Sequence, residues 1–81
     1  MSIYNRFGEE VTIVRMGTLK DVESLDGRKA DSDDRIAVKN GSYVVVKTSD
    51  GKLQLMHQAY MRATEGSVEI SKALRALGSS S

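Results

Sequence analysis

Two apolar runs, Tyr43–Lys47 and Leu53–His57, flank Asp50-Gly51. Asp-Gly between strand-like runs predicts a tight hairpin, because a type I′ turn needs φ > 0 at both central residues. A two-residue loop pairs Ser49 with Lys52, Val46 with Leu55 and Val44 with His57. It puts Val44, Val46, Thr48, Leu53, Leu55 and His57 on one face, and Tyr43, Val45, Lys47, Gln54, Met56 and Gln58 on the other. A three-residue loop would set Val44 and Val46 beside Gln54 and Met56. That separates apolar from polar less well, and a slip of one residue moves every side chain across the sheet. The pattern therefore predicts the two-residue loop.

Val44-Val45-Val46 is a continuous β-branched run, which predicts a central strand covered on both faces. Asn40-Gly41 is a second turn signal. Pairing Lys39 with Ser42 brings Arg35–Val38 alongside, and the expected result is a three-stranded meander from Arg35 to Gln58. Arg35–Asn40 has a rival helical reading. Asp33 and Asp34 suit a helix N-terminus, Lys39 a last turn and Gly41 a C-cap. Ile36-Ala37-Val38 forms no helical stripe, and the strand is preferred.

Elsewhere the pattern is simpler. Ile3–Gly8 reads as an irregular arm. Glu10–Met16 is a strand, with Val11 and Ile13 on one face and Thr12, Val14 and Met16 on the other. Thr18–Gly27 has two readings: Leu19, Val22 and Leu25 recur at helical spacing, with Thr18 as N-cap, Asp21 in the first turn and Gly27 just past the end, against an extended loop folded over a barrel mouth, and the short helix is preferred. Arg28–Asp34 is a charged connector. Ala59–Thr64 continues the alternation of the second hairpin strand, which is expected to run on or to bend there. Ser67–Leu77 is a terminal helix with Ile70, Ala73, Leu74 and Leu77 as its apolar stripe.

Length and composition narrow the class. The 81 residues allow one domain, expected over 1–78, with 79–81 as a flexible tail. A chain this short draws only about 3–5 kcal/mol from its core. There is no cysteine and one histidine, so disulfides and thiolate chemistry are excluded. Homo-oligomerisation is the remaining expected source of stability. The net charge of +1 is neither a nucleic-acid signature nor an acidic one. No apolar run reaches transmembrane length, and the N-terminus lacks the apolar core of a signal peptide. A cytoplasmic location is expected.

Candidate chemistry is sparse. His57 is the one group with an ordinary pKa near neutrality, but no spacing places a nucleophile beside it, so a structural role is expected. Asp31, Asp33 and Asp34 fail as a calcium loop, because Ile36 and Ser42 occupy its sixth and twelfth positions. No phosphate-binding glycine loop or nucleophile elbow is present. No catalytic, cofactor or metal site is expected. The candidate interface or ligand surface is Tyr43, Val45, Lys47, Met56, Tyr60 and Arg62. Tyr43 beside Lys47 and Tyr60 beside Arg62 also allow a runner-up role in binding single-stranded nucleic acid.

The stretch Gly66-Ser67-Val68-Glu69-Ile70-Ser71 resembles a motif of the plasmid-borne type II dihydrofolate reductases, small SH3-like barrels that work as tetramers. The resemblance covers these few residues only. The family has glutamine and tyrosine where this chain has Glu69 and Ser71, its ligand-contacting positions, so it implies no activity here. The expected fold is mainly β (α+β): a small, curved antiparallel sheet, SH3-like or half closed into a barrel, with a C-terminal helix. The expected role is a non-catalytic interaction module that homo-oligomerises, with itself or another protein as partner and no membrane association.

Overall fold

The computed structural model describes residues 2–64 and 66–79. The strands are β1 (Ile3–Tyr4), β2 (Glu10–Met16), β3 (Tyr43–Thr48), β4 (Leu53–His57) and β5 (Arg62–Ala63). The helices are α1 (Leu19–Leu25), α2 (Ser32–Lys39) and α3 (Ser67–Ser79). The fold is α+β: one five-stranded antiparallel sheet in the order β4-β3-β2-β1-β5, with the terminal helix expected from the sequence. The tail expected over 79–81 lies, beyond Ser79, outside the described residues.

The sheet is rolled but open. Asn5, at the end of β1, donates from Nδ2 to Gln54 Oε1 of β4 at 3.0 Å. In a flat sheet these strands would stand three spacings apart, about 14 Å. β4 and β5 remain its two edges. A single turn of 3₁₀ helix, Gln58–Tyr60, carries the chain between them. Ala59–Thr64 therefore does not prolong β4. It crosses to the far edge and pairs with β1.

The hairpin adopts the other register. Tyr43 pairs with His57, Val44 with Met56 and Val46 with Gln54, and Thr48 donates to the Lys52 carbonyl at 2.8 Å. The loop is thus Ser49-Asp50-Gly51. Gly51 alone takes a positive φ, +89°, and Asp50 does not, so no type I′ turn forms. Thr48 sets the register. Its hydroxyl donates to Asp50 and accepts from the Lys52 N–H at 3.2 Å. The sorting of apolar from polar residues that favoured the two-residue loop does not decide the register. Helices cover both, so the three-residue loop loses nothing: Val44, Val46 and Met56 face α3, while Tyr43, Val45, Leu55 and His57 face the side of α1 and α2. Met56 and His57 thus stand on the opposite faces from those expected.

The core forms on the α3 side. Val11, Val44, Val46, Met56, Met61 and Ile70 are buried together, and Ile3, Ile13, Ala63 and Leu74 pack on them. Each buried aliphatic contributes about 1.5–3 kcal/mol of transfer free energy. The expected stripe of α3 is the face that is covered. On the other side, Val45 and Val22 are fully buried.

Residues 35–39 are helix, not strand, and Asn40 is its C-cap, so the expected meander does not form. Asn40-Gly41 closes α2 instead of turning a hairpin. Gly41, at φ +70°, donates to the Val38 carbonyl at 3.1 Å, and Ser42 donates to Ala37 at 2.8 Å. This is a Schellman motif. The helix was obscured because it buries a carboxylate, Asp34, rather than an apolar stripe. Ile36 stays exposed.

A bulge in β2 corrects one further expectation. Ile13 pairs with Val46 but Arg15 pairs with Val45, so Val14 is the extra residue. Beyond it the alternation inverts. Met16 joins the Val44 face, leaving that of Thr12, and Arg15 turns toward α1.

Candidate functional site

Each of the two inserted helices starts from the same device. Thr18 and Asp21 form a capping box at α1, and Asp31 and Asp34 form one at α2. In each, the aspartate at the third helical position also takes a bidentate arginine from six residues upstream. Arg15 reaches Asp21 at 2.5 and 2.8 Å, and Arg28 reaches Asp34 at 2.6 and 2.8 Å. The Tyr43 hydroxyl adds a third donor to Asp34, at 2.6 Å. The Arg15 guanidinium, helped by Thr18 and opposed by burial, holds the Asp21 carboxyl down at about 2. Arg28 and then Tyr43 hold Asp34 well below the usual carboxylate range, and the bond to Asp34 raises Tyr43. Asp31, Asp33 and Asp34 are thus a helix start. Among the described residues no carboxylate or histidine cluster could hold a metal.

These braces place a cleft of about 530 Å3 along β4. Leu53–His57 form its floor, the β1–β2 turn (Asn5, Arg6, Phe7) one wall, and the end of α1 with Arg28 the other. Asn5 fixes the turn. Its buried side chain accepts from the Phe7 and Glu9 N–H groups and donates to Glu9 and Gln54, each at 3.0 Å.

A ladder of rings and guanidinium crosses this cleft. Tyr43 and His57 meet edge-to-face at 5.9 Å between centroids, and His57 meets Tyr60 at 6.1 Å. The Arg6 guanidinium lies 5.8 Å from the Tyr60 ring centroid and 4.9 Å from that of Phe7. The chain has three tyrosines, one phenylalanine, one histidine and no tryptophan. All but Tyr4 of these rings stand in the one ladder. Phe7 and Tyr60 are 68% and 53% exposed, far more than a packing role requires. His57 Nδ1 accepts the Ala59 N–H at 3.1 Å, capping the 3₁₀ turn.

The expected surface residues do not form one surface. Tyr43, Met56 and Tyr60 line the β4 cleft. Lys47 lines a second cleft, about 710 Å3, between α3 and β2. Val45 is fully buried. Arg62 is exposed on the edge strand β5, bonded to the Ala59 and Met61 carbonyls. Arg6 and Phe7 were missed. The readable signal was Asn5-Arg6-Phe7-Gly8, in which Arg6-Phe7-Gly8 is a three-residue hairpin loop that exposes Arg6 and Phe7.

No family model, no curated protein and no solved structure matches this chain. Of the segment that resembles a reductase motif, Gly66 precedes α3 and residues 67–71 are the start of that helix.

Proposed function

We propose that this chain is a small, non-catalytic interaction module of SH3-like architecture that captures a protein partner in the cleft along β4. The gathering of nearly all its rings at that cleft, with Phe7 and Tyr60 exposed, carries this reading. Aromatic and arginine side chains supply most of the energy at interfaces, and a chain with four aromatics has little reason to expose two beside each other. The rolled, open sheet, across which Asn5 reaches Gln54 of β4, supports the SH3-like description. Fold alone names no ligand.

Catalysis is disfavoured by how the polar groups are used. Asp21 and Asp34 are held by arginines, and one nitrogen of His57 is held by backbone. Single-stranded nucleic acid could stack on the ladder, but phosphates need a track of cations. Of the two cleft arginines, Arg28 is committed to Asp34 and Asp26. Self-association was expected as the stability that a thin core without disulfides lacks, and a second copy is one candidate occupant of the cleft.

A photo-crosslinking residue replacing Phe7, compared with one replacing exposed Ile36 on α2, tests the proposal in cell extract. Specific adducts are expected from position 7 only. An adduct of twice the chain mass would identify a second copy as the partner. Equal labelling from both positions would refute the cleft as the binding site.

A further inference from the structure

The cleft floor is a sheet edge, and its backbone polar groups define what fits. Thr48 with Lys52, and Ser42 with Gln58, are hydrogen-bonded positions of the hairpin, at 2.8 and 2.9 Å. Antiparallel ladders alternate. Val46–Gln54 and Val44–Met56 are therefore also bonded, and Leu53, Leu55 and His57 direct their N–H and C=O groups away from β3. β4 has no second strand neighbour. Natural edges are usually blunted by charge, proline or a bulge. Residues 53–58, Leu-Gln-Leu-Met-His-Gln, contain no charged residue and no proline, and β4 pairs without a bulge.

The walls add side-chain chemistry. Phe7, Tyr60 and half-exposed Leu53 offer apolar contact. Arg6 makes no ion pair among the described residues. Its charge is held over two rings, at the cleft mouth, with no carboxylate spent on it.

Resting on the reading above, we propose that the partner is an extended, acidic peptide segment of another protein, which adds to β4 as a sixth strand. Its backbone pairs with Leu53, Leu55 and His57. Its side chains alternate between the two walls. One carboxylate side chain meets Arg6. A polyproline helix would leave the exposed row of N–H and C=O groups unpaired, so it fits this floor poorly.

The test is selection of random heptapeptides displayed on phage against the full chain, followed by amide hydrogen exchange with the enriched peptide. Enriched sequences are expected to alternate apolar residues and to carry Asp or Glu at one position. The peptide should slow exchange at Leu53, Leu55 and His57. N-methylation at its β4-facing residues should weaken binding at least about tenfold, and at the alternate residues much less. Arg6→Glu, exposed and folded by circular dichroism, should convert the acidic preference to Lys or Arg. Proline-rich peptides that bind the cleft without protecting those amides would overturn strand addition and leave the cleft reading standing. Failure of any peptide to perturb the cleft, or a deoxythymidine decamer binding there instead, would overturn both. Concentration-dependent protection of the same amides without peptide would assign the edge to a second copy and refute the proposal.

Discussion

The Tyr43 hydroxyl donates to Asp34 Oδ1 at 2.6 Å, and this bond fastens helix α2 to the interior strand β3. It also links the sheet to the ion pair that starts the helix, since Arg28 holds the same carboxylate. Asp34→Ala removes a cap, a bidentate pair and the tyrosine's acceptor together. It should lower the thermal midpoint well beyond Asp33→Ala, whose side chain is exposed on the same turn. Equal midpoints would show that α2 is held otherwise.

Acid should loosen the helical side first. Asp21 and Asp34 both titrate lower in the folded chain than in the unfolded one. Their stabilisation is complete above the ordinary value of 3.8 and is lost as pH falls through about 2 at Asp21, and lower still at Asp34. Denaturation midpoints should therefore fall steeply below about pH 4. An Asp21→Asn, Asp34→Asn double variant should start lower and show a flatter acid limb. An unchanged slope would exclude these two groups.

Gly17→Ala tests the packing of the second face. A Cβ there would lie 2.6 Å from Leu55 Cδ1 and 2.9 Å from Tyr43 Cβ. Overpacking of this kind costs about 1–3 kcal/mol. Urea denaturation should show a loss of that order.

Gly51→Val tests the turn. A new Cβ meets nothing nearer than Lys47 Cε at 4.0 Å, so the cost is conformational. A β-branched residue at φ +89° should lose about 1–3 kcal/mol. Gly51→Asn should lose less, because asparagine tolerates the left-handed region. Equal losses would mean that something other than φ sets the cost.

Tyr60→Ala separates binding from folding. The ring is 53% exposed and lies outside the buried core. The free energy of unfolding should change by no more than about 0.5 kcal/mol. Crosslinking from position 7 should fall sharply. A large loss of stability would make the ladder a packing feature.

What the sequence determined by itself is local. Thr18 and Gly27 delimit α1 because a cap and a positive φ act within one turn of chain. Glu10–Met16 and Val44-Val45-Val46 are strands because β-branched alternation suits a pleated surface. The stripe of Ile70, Ala73, Leu74 and Leu77 makes α3. Tertiary structure decided what depends on partners far along the chain. The hairpin could take its three-residue loop because α3 covers one side of the sheet and α1 and α2 the other, so neither face had to be the polar one. α2 exists through Arg28, Asp34 and Tyr43, an ion pair and a hydroxyl that leave no mark in hydrophobic periodicity. The bulge at Val14 is invisible until Arg15 is seen reaching Asp21. The ladder likewise joins Arg6 and Phe7 to Tyr43, His57 and Tyr60 across the rolled sheet. Spacing encodes contacts within a helix turn or a strand pair, and the curl of a sheet is set by the sum of its packing.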